Sequence, residues 1–147
     1  FLGNTYHLAI GQGKIGVTPL QVNLMANVIA NGGKLCSAQF LKKENYKYQD
    51  LGLQKETIDL IRQGMKEACS EGGTSLRFLA FDFSVGCKTG TAEFGDAQDR
   101  THAWFTVFAP LDDPQISITV LVEAGGGGSE VAAPIAKEIM EKWAESE

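Results

Sequence analysis

Three strand patterns follow one another in the C-terminal half of the chain, and only short connections separate them. They cover residues 83–93, 102–109 and 115–123, and a proline-bounded turn at 110–114 joins the second to the third. The last pattern alternates with a period of two, which is typical of a strand with one buried face. The second is apolar on both faces, which predicts a strand that is covered on both sides. Because consecutive strands with short connections pair antiparallel, we expect an antiparallel sheet here.

Helical patterns flank this sheet. A first helix should begin at Thr18, because threonine caps a helix N-terminus, Pro19 suits the first turn and Gln21 completes a capping box. A second helix should cover residues 55–70, and a last one should carry Pro134 in its first turn. The faces expected to be buried in these helices are, in order, Leu20, Leu24, Met25, Val28 and Ile29; then Ile58, Ile61, Met65, Ala68 and Cys69; then Ile135, Ile139 and Trp143. The order of elements predicts an α+β fold, with helices packed on a three-stranded antiparallel sheet.

The remaining stretches carry weaker patterns. Residues 1–17 are glycine-rich and mixed, and residues 34–54 are polar, with one short strand expected near 39–41. The glycine run at 125–128 lacks the lysine and hydroxyl residue of a phosphate-binding loop, so it predicts a connection between the last strand and the last helix.

Composition bounds the class of protein. With 147 residues, 44% hydrophobic and 21% charged, the chain is an ordinary globular sequence of about one domain. Its 13 basic and 18 acidic side chains give a net charge of −5, which argues against nucleic acid as a partner. No apolar run approaches the ~20 residues of a membrane span, and no signal peptide opens the chain. The first residue is Phe1, within what reads as a structured segment, so we expect a piece of a longer polypeptide.

The three cysteines, Cys36, Cys69 and Cys87, show no Cys-x-x-Cys or cysteine–histidine spacing. This pattern indicates neither a disulfide framework nor a metal site. Cys69 falls on a predicted helix face and Cys87 in a predicted strand, so we expect both to be buried as small hydrophobic side chains. We expect no cofactor.

The segment Lys88-Thr89-Gly90-Thr91 is the most informative for function. A lysine on an edge strand places a fixed cation beside a cleft, where it can hold a carboxylate and bias proton transfers. Gly90 has no side chain, so a substrate backbone can approach closely. The threonines offer hydroxyls, and the strand edge offers N–H groups to an extended peptide. Three residues also occur by chance on solvent-facing strands, so Lys-Thr-Gly alone is a weak signal.

The motif stands within a longer ordered pattern. Lys-Thr-Gly on a strand is one of three motifs of the penicillin-binding proteins and serine β-lactamases. The segments that resemble high-molecular-weight penicillin-binding proteins are 2–13 and 17–21 upstream of the motif, 88–93 and 102–110 in the edge strand and its neighbour, and 131–136 at the start of the last helix. The chain is most similar to class B members of the penicillin-binding protein 2 type, which act in cell elongation.

The resemblance implies a D,D-transpeptidase. These enzymes attack the D-Ala–D-Ala end of a peptidoglycan stem peptide with a serine and pass the acyl group to an amine of a neighbouring stem; β-lactams acylate the same serine. Lys88 would then be catalytic, orienting the stem carboxylate and assisting proton transfer. Thr89, Gly90 and Thr91 would bind substrate, with the Thr91 N–H as an oxyanion donor. Full-length members are anchored in the cytoplasmic membrane with this domain on the outer side, and they work with the cell-elongation machinery.

The family's nucleophile motif is absent from the sequence. No serine is followed three positions later by lysine, and neither Ser-x-Asn nor Ser-x-Asp occurs. Both motifs precede the matching segment in the family, so we expect residues 1–147 to be the C-terminal part of a single transpeptidase domain. Without an activated serine, this polypeptide alone should neither react with penicillin nor transpeptidate.

Other interpretations stay open. A β-lactam-sensing or scaffold relative would share the fold without the catalysis, although the pattern at 18–21 favours a transpeptidase over sensors and β-lactamases. An unrelated α+β domain would have to match the family in order along nearly the whole chain. His102 and the polar loop at 94–101 lie near the motif strand, and we expect a structural role for the histidine and a solvated loop.

Overall fold

The computed structural model describes residues 2–41, 47–95 and 97–146. The helices of these residues are α1 Leu2–Ala9, α2 Pro19–Ala30, α3 Lys55–Ala68 and α4 Ala133–Ala144. The strands are β1 Lys34–Cys36, β2 Tyr48–Asp50, β3 Gly86–Glu93, β4 Thr101–Ala109 and β5 Ile116–Val122. A 3-10 turn at Leu76–Phe78 precedes β3, and a π-helical turn at Gly128–Ala132 leads into α4.

The main sheet is antiparallel in the order β3-β4-β5, which confirms the predicted α+β fold. The register places Lys88 opposite Thr106, and Thr106 opposite Thr119. The central strand is covered on both faces, since Val107 and Phe108 point to opposite sides and both are 0% exposed. The expected burial of β4 is therefore confirmed.

Helix α4 covers one face of this sheet, but through a different stripe from the one predicted. Ala136 and Met140 are fully buried, whereas Ile135 and Ile139 are 42% and 44% exposed. Small alanines let the helix axis approach the sheet closely, so the stripe of contact is rotated away from the isoleucines. Trp143 does pack inward, with its ring edge-on to Phe83 at 6.0 Å between centroids.

Helix α2 packs on the other face of the sheet. The predicted capping box is confirmed, since the Gln21 N–H donates to Thr18 Oγ1 and the Thr18 N–H donates to Gln21 Oε1. Of the predicted apolar face only Val28 is fully buried, while Leu20 and Met25 are 51% and 62% exposed. The helix instead buries Ala26, Val28 and Ala30.

The segments with weak sequence patterns form more structure than expected. Strands β1 and β2 pair antiparallel, with Cys36 opposite Tyr48, so the single strand predicted near 39–41 was wrong. Strands of three residues are too short to leave a periodic pattern. Residues 2–9 form α1, none of whose residues is buried, where a mixed segment was predicted.

The cysteine prediction was half right. Cys69 and Cys87 are buried as predicted, at 4% and 0% exposed, but they form a disulfide with their Cα atoms 5.9 Å apart. The bond joins the C-terminal end of α3 to the second residue of β3. Only the tertiary fold brings these two ends together, so the pair could not be predicted from the spacing of the cysteines. Cys36 is a free thiol.

None of the helices in the described residues is long and apolar enough to span a bilayer.

Candidate functional site

The candidate site lies along the outer edge of β3. Strand β4 pairs with one side of β3, and within the described residues no strand pairs with the other side. Lys88 is exposed on this strand, and its Nζ donates to the Thr89 carbonyl. The structure therefore places a cation on an open strand edge, as the sequence predicted.

The backbone groups that face outward can be assigned from one hydrogen bond. The Thr91 carbonyl accepts from Gln12 Nε2 at 2.9 Å, so it points away from β4. In an antiparallel pair the N–H and C=O of one residue point to the same side, and the side alternates along the strand. The N–H groups of Thr89 and Thr91 therefore face the open edge, while Gly90 directs its backbone groups to β4.

The side chains of the motif are divided between the two faces of the sheet. Lys88 and Gly90 share the face that carries α2, whereas Thr89 and Thr91 lie on the other side of the strand. The Thr89 hydroxyl donates to the Thr74 hydroxyl at 3.3 Å, and Thr91 is exposed. The four predicted site residues thus lie along one strand edge, but their side chains point to two different faces of the sheet.

A chain of polar side chains runs beside Lys88 on the α2 face. Thr106, opposite Lys88, lies 2.8 Å from Thr119 between the two hydroxyl oxygens. Asn23 Nδ2 of α2 donates to Thr119 Oγ1 at 3.2 Å and to Ser117 Oγ at 3.1 Å. Hydroxyl residues on one face of otherwise apolar strands are the sequence signal for this network, which was not predicted. The network fixes how α2 sits on the sheet, because buried polar groups must keep their partners.

Two glycines allow the backbone to pack tightly under the motif. A Cβ at Gly90 would lie 3.1 Å from the Cβ of Trp104. A Cβ at Gly128 would lie 2.2 Å from the Trp104 carbonyl oxygen and 2.5 Å from that of Gly90. The π-helical turn therefore rests directly on the backbone of β3 and β4. The glycine run was predicted only as a connection, and its role in supporting the motif strand was not predicted.

Replacing Gly128 with alanine should destabilise the protein by about 1–3 kcal/mol, because the new methyl group must push the backbone of the motif strand away. Urea unfolding would measure the loss. Gly127→Ala is the matched control, since a Cβ there meets its nearest atom at 3.6 Å and its φ is −81°. Equal stability of the two variants would contradict the close contact at Gly128.

His102 holds neighbouring loops together. Its Nδ1 accepts from the Ala124 N–H at 3.0 Å, and its ring stacks on Phe94 at 4.2 Å between centroids. The Arg100 guanidinium also lies over the Phe94 ring, 5.8 Å from its centroid. These contacts are structural, in line with the role expected for the histidine.

The described residues offer no cluster of metal ligands, and the two lysines with raised pKa values lie outside the candidate site. Those residues contain no group of three histidine, cysteine or acidic side chains that could hold a metal. Hydrogen bonding to Asp59 raises the pKa of Lys55 on α3, and hydrogen bonding to Glu145 raises that of Lys142 on α4. Both lysines belong to exposed ion pairs away from the β3 edge.

Comparisons with known proteins identify the family to which the chain belongs. A family model described as the penicillin binding protein transpeptidase domain matches residues 2–141. The peptidoglycan D,D-transpeptidase MrdA of Haemophilus influenzae is 31% identical over an alignment of 167 positions, gaps included, which covers 96% of this chain and 26% of that protein.

Solved structures show the same likeness. A penicillin-binding protein (PBP2) of Helicobacter pylori, solved in complex with MreC, superposes with a TM-score of 0.83 at 35% identity, covering 98% of this chain and 28% of that one. Pseudomonas aeruginosa PBP2, solved in complex with WCK 5153, gives a TM-score of 0.81 at 32% identity, covering 97% and 34%. The chain thus spans between a quarter and about a third of the length of these relatives.

Proposed function

Because the chain belongs to the penicillin binding protein transpeptidase family, we propose that it forms the Lys-Thr-Gly part of a peptidoglycan D,D-transpeptidase. In this proposal the whole enzyme cross-links stem peptides through an acyl-serine intermediate. The observation that carries the proposal is the open edge of β3, which combines the Lys88 ammonium with outward N–H groups at Thr89 and Thr91.

Lys88 is the catalytic residue of the proposal. An ammonium group at a strand edge attracts the carboxylate that ends a D-Ala–D-Ala stem, and its charge favours proton transfer at a neighbouring serine. The Lys88 amine now rests on the Thr89 carbonyl, a neutral acceptor at the same edge. A substrate carboxylate would be a stronger partner, since hydrogen bonds between ionised groups are roughly twice as strong as neutral ones.

The next three residues bind substrate in this proposal. The outward N–H of Thr91 can donate to a developing oxyanion, and such a donor is worth roughly 3–4 kcal/mol of barrier in other acyl-transfer enzymes. The hydroxyls of Thr89 and Thr91 would contact the stem carboxylate, which requires Thr89 to leave its hydrogen bond with Thr74. Gly90 leaves room for the substrate, because no side chain projects from the strand there.

The serine must come from outside residues 1–147, since these contain no Ser-x-x-Lys. We propose that residues 1–147 are the C-terminal part of a single transpeptidase domain whose preceding part carries the nucleophile. We also propose that the whole protein is anchored in the cytoplasmic membrane with this domain on the outer side. Its partners would be D-Ala–D-Ala stems, β-lactams and the cell-elongation machinery; the Helicobacter pylori relative was solved with MreC.

The test is labelling with a fluorescent penicillin. Full-length protein should be labelled on a serine of a Ser-x-x-Lys motif, identified by peptide mass spectrometry, whereas residues 1–147 alone should take no label. Unlabelled penicillin added first should block the signal. A covalent adduct on residues 1–147 alone would overturn this assignment of the nucleophile.

Two further outcomes separate the alternatives. Full-length protein that is labelled but forms no cross-links from a lipid-linked disaccharide-pentapeptide would be a β-lactam sensor. Full-length protein that takes no label at all would be a scaffold relative, and the proposed activity would fail.

A further inference from the structure

A tight turn after α1 holds the Gln12 side chain at the candidate site. Gln12 stands between two glycines in the left-handed region, Gly11 at φ +74° and Gly13 at φ +115°. Its own N–H donates to the His7 carbonyl at the end of α1, at 2.9 Å. Residues other than glycine rarely adopt such φ values, so the turn depends on both glycines. The turn therefore fixes the position of the Gln12 backbone.

From that place the amide reaches the motif strand. Gln12 Nε2 donates to the Thr91 carbonyl at 2.9 Å, across 79 positions of sequence. Gln12 is half-buried, while Gly11 and Gly13 on either side are exposed. A side chain that is less exposed than its neighbours and carries one long-range hydrogen bond is held in a specific position, not merely solvated.

The atom that Gln12 contacts matters for the chemistry. The Thr91 carbonyl and N–H leave the strand on the same open side, and β4 pairs with neither of them. The ladder with β4 holds β3 from its inner side through Gly90 and Ala92, while within the described residues no strand pairs with its outer side. A donor on the Thr91 carbonyl restricts the rotation of the Thr91 backbone, and with it the direction of the Thr91 N–H.

We infer that Gln12 is a positioning residue of the transpeptidase site: its amide holds the end of the substrate-binding edge, so that the Thr91 N–H points into the cleft. This inference rests on the proposed function. Gln12 acts through Thr91 and does not touch the reacting atoms. A misplacement of about 1 Å in a catalytic group can slow a reaction up to about 10²-fold, so a single outer hydrogen bond can matter for rate.

The test compares three variants of the full-length protein. Gln12→Ala removes the amide, and Gln12→Glu keeps its shape but offers no donor at neutral pH. Gln115→Ala is the matched control, since Gln115 Nε2 also donates to a backbone carbonyl, that of Asp113 at 3.2 Å, in the turn before β5. Stopped-flow acylation by a fluorescent penicillin separates the dissociation constant of the initial complex from the rate of the covalent step.

We expect both Gln12 variants to slow the covalent step about tenfold, with less than a twofold change in the dissociation constant. Hydrogen exchange of the peptide that contains β3 should become faster in both, and Tm should stay within a degree of the wild type. Gln115→Ala should change neither the rate nor the exchange of β3.

The outcomes are distinguishable. Unchanged acylation in both Gln12 variants would overturn the inference, as would a faster covalent step, which would mean that Gln12 obstructs the edge. An equal loss of rate in Gln115→Ala would show a general effect on the fold and would also overturn it. Wild-type protein that takes no label would refute the proposed function instead, and hydrogen exchange would still decide whether Gln12 holds the strand.

Discussion

Replacing Lys88 with alanine should lower the rate of acylation by penicillin about 10³-fold in the full-length protein. The expected loss is large because, in the proposed function, the ammonium would both attract the substrate carboxylate and assist proton transfer at the serine. Lys88→Arg keeps the charge but presents a planar group that does not give up its proton, so it should bind β-lactam better than alanine and still react slowly. Time-resolved labelling with a fluorescent penicillin measures both variants.

The control for Lys88 is a lysine that is equally classed as exposed but lies on a different sheet. Lys34 is exposed on a strand of the small sheet, β1, and Lys34→Ala should react at the wild-type rate. Because Lys88 is exposed, its loss should change Tm little. If Lys88→Ala kept more than a tenth of the wild-type rate, the catalytic role proposed for this lysine would be wrong.

The double variant Cys69→Ala, Cys87→Ala should lose roughly 3 kcal/mol of stability. The disulfide closes a loop between positions separated by 18 residues, and closing a loop of that order restricts the unfolded chain by about 3 kcal/mol in the chain-entropy model. Chemical unfolding in oxidising buffer measures the difference from the wild type.

Reduction supplies an independent check of the disulfide. A reducing agent strong enough to open the bond should lower the stability of the wild type toward that of the double variant, and it should leave the double variant unchanged. Cys36→Ala removes the free thiol and should behave like the wild type under both conditions. Equal stability of oxidised wild type and double variant would contradict a stabilising bond.

Local signals in the sequence located most of the secondary structure. The capping box at Thr18 marked the start of α2, and the alternating pattern of the last strand marked β5. Both depend on residues close together in the chain, so periodicity and caps report them directly. The strand bearing Lys88 was predicted at residues 83–93 and is β3, and its position at an edge of the sheet was expected from the family resemblance.

Contacts between distant segments were the part that could not be predicted. The helix faces were misassigned because the residues that contact the sheet are alanine and asparagine on α2, and alanine and methionine on α4. Larger apolar residues nearby on the same helices are exposed instead. The Cys69–Cys87 bond and the hydrogen bond of Gln12 to Thr91 each join segments that only the fold brings together. A single sequence contains the residues of such pairs without indicating that they meet.

The close contact of Gly128 with Gly90 limits which substitutions the motif strand can accept, and this matters if β-lactams bind at its edge as proposed. A Cβ at position 128 would lie 2.5 Å from the Gly90 carbonyl oxygen, so a side chain there must displace the strand backbone. A Cβ at position 90 would lie 3.1 Å from the Trp104 Cβ, so it requires the Trp104 side chain to shift by only a few tenths of an ångström. Gly128 is therefore the more constrained of the two positions, although it lies outside the Lys-Thr-Gly motif. Under the proposed function, substitutions that weaken β-lactam binding without unfolding the chain should therefore arise at exposed positions of the edge and not at Gly128.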